Sequence, residues 1–120
     1  MKSKKPFDIK RFLIPILRRK SVYSPERNRC LQLARRERGF YECKSCNKLF
    51  GRKEVHVDHI QSVVSVRDAW IDWNTYIARL FVSAEEMQVL CVNCHSSKTL
   101  LENELRSINK KAKNKKKKVK

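Results

Sequence analysis

Two Cys-x2-Cys pairs, Cys43-Lys44-Ser45-Cys46 and Cys91-Val92-Asn93-Cys94, carry the most specific chemistry in the chain. Together they offer four thiolates, the number a structural zinc takes in a tetrahedron. Each pair chelates from a tight turn, and the long stretch between them lets one metal staple the start of a domain to its end. The competing reading is a redox role for the pairs, or buried free thiols. Asp58-His59 and His95 form a second set of metal-ligating and proton-transferring groups. A two-Cys, two-His finger from Cys43, Cys46, His56 and His59 fits poorly. Such fingers space their histidines x3–5 apart on a helix, whereas this pair is x2 apart on a β-patterned segment. It would also leave Cys91 and Cys94 without partners. Four cysteines on zinc leave Asp58, His59 and His95 for a separate site. Cys30 reads as a small buried hydrophobe.

The elements that must position these residues follow from local pattern. Lys53 to Asp58 alternates and reads as a strand, with Gly51 in the turn before it. Met87-Gln88-Val89-Leu90 is a second short strand. Trp73, Ile77, Leu80 and Phe81 recur at helical spacing and predict a packing helix in the connection. After Cys91 the pattern turns helical, with Leu101, Leu105 and Ile108 on one face. Upstream, Ser24-Pro25-Glu26 is a helix start, with a hydroxyl N-cap, proline at the first position and a carboxylate at the positive end of the dipole. From there Cys30, Leu31 and Ala34 face inward, Arg27, Arg35 and Arg38 form a basic face, and Gly39 closes the helix. Phe7 to Leu17 reads as an earlier helix that Pro15 breaks or kinks.

Composition divides the chain into a basic helical segment 1–39, a domain over 40–106 and a lysine-rich tail 107–120. The tail holds eight lysines in fourteen positions, and its composition predicts disorder in isolation. The whole chain of 120 residues has a formal charge of +17, which points to a polyanion, nucleic acid before an anionic membrane. Candidate phosphate contacts are Arg27, Arg35, Arg38, Lys98 and the tail lysines Lys115, Lys116, Lys117 and Lys118; a merely solvated basic surface is the alternative. The longest apolar run, Phe12 to Leu17, contains a proline and is far short of the roughly 20 residues a membrane span needs. No secretory leader is recognisable, so the expectation is a cytoplasmic protein, not secreted, in a compartment where paired cysteines hold metal. No small-molecule substrate or membrane partner is expected, and oligomeric state is left open.

Val57-Asp58-His59-Ile60, followed at a distance by Leu90-Cys91-Val92-Asn93-Cys94-His95-Ser96-Ser97-Lys98-Thr99, resembles an HNH endonuclease of the cysteine-bearing type. It is similar in particular to the small phage-encoded members, over roughly residues 22–102. The resemblance implies an α+β fold, a zinc-stapled ββα-metal domain with basic helices before it. It implies His59 as general base, with Asp58 and His95 on a divalent cation, Mg2+ or Mn2+ first and Zn2+ or Ni2+ next. Duplex DNA would be the substrate.

The central asparagine of the HNH pattern is replaced, since its place counted back from Cys91 falls at Glu86. Either Glu86 accepts a hydrogen bond from the imidazole, or Asn74 folds in from the inserted helix to orient it. The runner-up function is a non-catalytic zinc-ribbon protein that binds nucleic acid, for which the Cys pairs and lysine tail suffice. That reading leaves Asp58, His59 and His95 without a role.

Overall fold

In a computed structural model, the described residues are 6–67 and 69–118. They form a small α+β domain with four helices and two small antiparallel sheets. Helix α1 (Ile9–Ser21) starts at Asp8, whose carboxylate accepts the backbone N–H groups of Lys10 and Arg11 at 3.1 and 3.3 Å. Arg18, Arg19 and Lys20 complement the dipole in its last turn. Pro15 was expected to break or kink this helix, and it does not break it: the helix runs through it. Ile14 and Leu17 pack against the buried cluster of Val63, Tyr76 and Leu80, and that burial offsets the lost backbone bond.

Helix α2 (Pro25–Ala34) begins where the sequence predicts, although the Ser24 hydroxyl makes no cap. Instead the Ser24 carbonyl accepts Asn28 N–H, and Glu26 reaches the N–H of Ala84 at 2.8 Å. The helix stops at Ala34, five residues before Gly39. Arg35–Glu37 forms strand β1, which pairs with β2 (Phe40–Glu42), and Gly39 takes φ 82 in the turn between them. The physical reason is cross-strand pairing, reinforced by Arg36 Nε on Glu42 at 2.8 Å. Arg35 and Arg38 are therefore exposed on a hairpin and not on a helical face. Strand β3 (Leu49–Gly51) completes this sheet.

The second sheet positions the candidate site. A 3-10 turn over Arg52–Glu54 takes the first residues of the predicted strand, and β4 is Val55–His59. It pairs with β5 (Met87–Cys91) in the register Val57 to Val89, Asp58 to Gln88 and His59 to Met87. Because alternate side chains leave opposite faces, Val55, Val57, Met87 and Val89 pack on Cys30, Leu31 and Tyr41. Each such buried aliphatic side chain is worth about 1.5–3 kcal/mol. Cys30 is thus the buried hydrophobe the sequence suggested, and burial pushes its thiol pKa up. His56 and Asp58 look the other way, toward the last helix.

Helix α3 (Trp73–Leu80) is the predicted packing helix, capped by Asp72 on Thr75 N–H, with Tyr76 and Leu80 buried and Ile77 and Phe81 exposed. Helix α4 (Val92–Lys118) follows Cys91 directly. Leu101, Leu105 and Ile108 are exposed, so the apolar face of α4 does not cover the core. What ties α4 to the connection is polar: Arg106 donates to the Val64 carbonyl at 2.9 Å, and Asn109 to the Val66 carbonyl at 2.6 Å. The tail expected to be disordered continues α4 through Lys118. Lysine is a good helix former, it suits the negative end of the dipole, and extending a helix is easier than nucleating one. Val119, Lys120 and the first five residues lie outside the described residues, as do the side chains of Lys116, Lys117 and Lys118. Among the described residues, no helix is long and apolar enough to cross a membrane.

Candidate metal centre and hairpin site

Cys43 follows β2, and its N–H and C=O are bonded to Lys48 O and Asn47 N–H at 3.0 and 2.9 Å. Asn47 has φ 61, the left-handed conformation that asparagine tolerates, and this closes the turn carrying Cys46. Lys44 N–H bonds the Val89 carbonyl at 2.8 Å, which docks the turn on β5. Cys91 ends β5 and Cys94 lies one turn into α4, close enough for its N–H to meet the Cys91 sulfur at 3.5 Å.

The four sulfurs of Cys43, Cys46, Cys91 and Cys94 all lie within 4.8 Å of one another. A zinc tetrahedron with Zn–S near 2.3 Å has sulfur–sulfur edges of about 3.8 Å, so a slight contraction suits the metal. Donor chemistry agrees. Burial works against ionising Cys43, but N–H groups of Cys46, Cys91 and Ser45 outweigh it and bring its thiol down to about 6. Hydrogen bonding to the Cys91 sulfur pushes Cys94 the other way, up to about 12. Sulfurs this close cannot all ionise without a cation between them. The residues fit a structural zinc.

The second set divides between two faces of the hairpin. Asp58 Oδ1 lies 3.8 Å from Nε2 of His95, which stands in the first turn of α4. The His95 ring stacks on His56 at 4.9 Å, so His56 belongs with His95 and not with the cysteines. The other oxygen of Asp58, Oδ2, accepts Gln88 Nε2 at 3.3 Å and the Lys98 ammonium. Two ligands about 2.1 Å from one metal lie about 3.0–3.4 Å apart at octahedral or tetrahedral angles, so Oδ1 and Nε2 would have to draw slightly closer to share a divalent cation. Both donors suit one, as carboxylate and imidazole.

His59 leaves the opposite face toward α3. Its Nε2 lies 2.8 Å from the carbonyl oxygen of Leu80. Glu86 and Asn74 were the expected orienting residues; the partner at Nε2 is the Leu80 carbonyl, and Glu86 lines the cleft beside His59. Glu86 and Asn74 are both exposed. Glu86 acts through its backbone, its carbonyl accepting Ile60 N–H at 3.1 Å and pinning the chain just beyond His59. A cleft of about 330 Å³ opens beside His59, lined among others by Gln61, Arg79 and Val82.

Two expected phosphate contacts are engaged within the fold. Arg27 Nη2 donates to the Val57 carbonyl at 2.9 Å, and burial, with Arg52 nearby, lowers its pKa. Lys98 is held at Asp58. Arg35, Arg38 and Lys115 are exposed. Sequence reasoning missed Leu80, which acts through its carbonyl and so leaves no residue-type signal. It also missed Glu102, whose i, i+4 spacing from Lys98 was legible. Comparison with protein-family models, curated proteins and solved structures gives no match.

Proposed function

We propose that the chain is an HNH-type, ββα-metal endonuclease that hydrolyses phosphodiester bonds of duplex DNA. The observation that carries this reading is the state of His59. A carbonyl only accepts, so the Leu80 contact requires the proton on Nε2 and leaves Nδ1 bare in the neutral ring. A bare nitrogen on an oriented ring is what a general base needs. His59 would take a proton from the attacking water through Nδ1, while the Leu80 carbonyl supports the imidazolium that forms.

Asp58 and His95 would hold the divalent cation, Mg2+ or Mn2+. Bound there, it supplies charge stabilisation at the phosphate and at the departing 3′ oxygen. Asp58 and His59 are consecutive and leave opposite faces of β4, so the scissile phosphate would lie across the strand's end. The order β4, β5, α4 with the cysteine cluster beside it supports the ββα-metal reading. The charge of +17 supports DNA as the polyanion.

A second reading has its own observation. The Asp58–Lys98 ion pair is also what a purely structural hairpin would contain, and it favours a non-catalytic zinc-ribbon nucleic-acid binder. A plasmid-nicking assay separates the two. Nicking with Mg2+ or Mn2+ that stops in EDTA and is lost in His59→Ala is expected; DNA binding without nicking in any divalent metal would leave the binder.

A further inference from the structure

Lys98 stands one turn beyond His95 on α4, and its side chain is 23% exposed. Its ammonium meets Asp58 Oδ2 and the main-chain oxygen of His59, with the Ile60 carbonyl at 3.2 Å and Glu102 Oε1 at 3.5 Å. Two carboxylates and two carbonyls are the donor set of a hard-cation site. Here they surround an ammonium carrying one charge and three donors. The two carbonyls lie where β4 ends, so the same interaction ties that strand end to α4.

We propose that Lys98 is the resident cation of this oxygen cage and the positioning residue of the hairpin site. The catalytic half of the proposal rests on the nuclease reading. Holding Oδ2 of Asp58 leaves Oδ1 as the oxygen turned to His95. The hydrogen bonds from Lys98 to the carbonyls fix the backbone of His59 and Ile60, from which the base projects. A divalent ion on Asp58 and His95 would then sit beside a fixed positive charge, which weakens its binding and limits the site to one exchangeable ion.

The test is Mn2+ titration of the zinc-loaded full chain, followed by electron paramagnetic resonance, with nicking measured in parallel. Removing a neighbouring unit charge should tighten Mn2+ about tenfold in Lys98→Met, while nicking slows because Asp58 and the strand end are no longer anchored. A merely structural lysine would weaken both together. Unchanged or weaker Mn2+ binding in the folded variant would overturn the proposal. Should Lys98→Met lose its zinc, Lys98→Gln, whose amide still donates to the carbonyls, takes the same titration. In the wild-type chain, the Lys98 ammonium protons should exchange slowly by nitrogen-15 NMR, and solvent-fast exchange would also overturn it. Failure of the wild-type chain to nick DNA removes the nuclease reading. Tighter Mn2+ binding in the variant would still identify Lys98 as the cage's cation.

Discussion

The Nε2 of His59 and the carbonyl oxygen of Leu80 are 2.8 Å apart, so a main-chain group on a different element decides which nitrogen of the candidate base carries the proton. The hydrogen bond joins the end of β4 to the end of α3. It depends on α3 being held in place by Tyr76 and Leu80, both buried. The inserted helix thus takes part in orienting His59, the candidate base.

Given this hydrogen bond, His59→Ala should slow nicking by about 10²–10⁴-fold, the usual worth of a general base. Duplex affinity by gel shift should barely change, since the base adds little to ground-state binding. Asn74→Ala and Glu86→Asn should stay within about twofold of wild type, because Nε2 of the ring is held by the Leu80 carbonyl and the Glu86 bond to Ile60 is a backbone one. Wild-type nicking by His59→Ala would sink the endonuclease reading.

The cysteine cluster makes a sharper demand. Structural zinc contributes roughly 10–16 kcal/mol to the folding of small zinc domains, against a total stability of about 5–15 kcal/mol for a typical domain. Loss of one sulfur should therefore unfold the domain. Cys43→Ala and Cys94→Ala should lose both the single bound zinc and the circular-dichroism signal of the fold. A stable, native-like Cys94→Ala without zinc would end the staple argument.

The arginines should separate by role. Arg27 is half-buried and gives a charged hydrogen bond to the Val57 carbonyl. Arg27→Ala should lower stability by about 1.5–3 kcal/mol in a urea melt. Arg35→Ala with Arg38→Ala, both exposed, should leave the melt nearly unchanged and weaken duplex binding. The reverse pattern would show that Arg27 is the residue that meets phosphate.

Legibility in the sequence followed the range of the signal. The Cys-x2-Cys pairs, the two hairpin strands and α3 are local patterns, and the four thiols, the strands and the helix appear where expected. The failures came from partners outside the segment being read. Arg35 to Glu37 looks helical until Glu42 and Tyr41 are available to pair with it. Arg27 looks free until β4 lies beneath it, and Lys98 looks free until the end of β4 folds onto α4. The hold on His59 had no signal at all, because a carbonyl is common to every residue. Counting back to Glu86 led to the turn beside His59, where the Glu86 carbonyl holds Ile60 N–H.

The tail carries the last expectation. α4 is anchored by Arg106 and Asn109, and beyond them Lys110, Lys111, Lys113 and Lys115 are exposed. No acidic residue follows Glu104, so nothing within the tail neutralises them. Like charges at i, i+4, as in Lys111 and Lys115, destabilise a helix by a few tenths of a kcal/mol, and phosphates along a duplex would relieve this. Deleting residues 110–120 keeps both anchors and should weaken binding about equally for all sequences, since lysines meeting phosphates read no bases. Each phosphate left without its lysine should flatten the slope of log K against log salt by about 0.9. Added duplex should also raise the helical signal at 222 nm in the full chain and not in the truncated one. A salt slope that survives the deletion unchanged would make the tail a solubilising extension and put the DNA-binding charge on Arg35, Arg38 and the basic turn of α1.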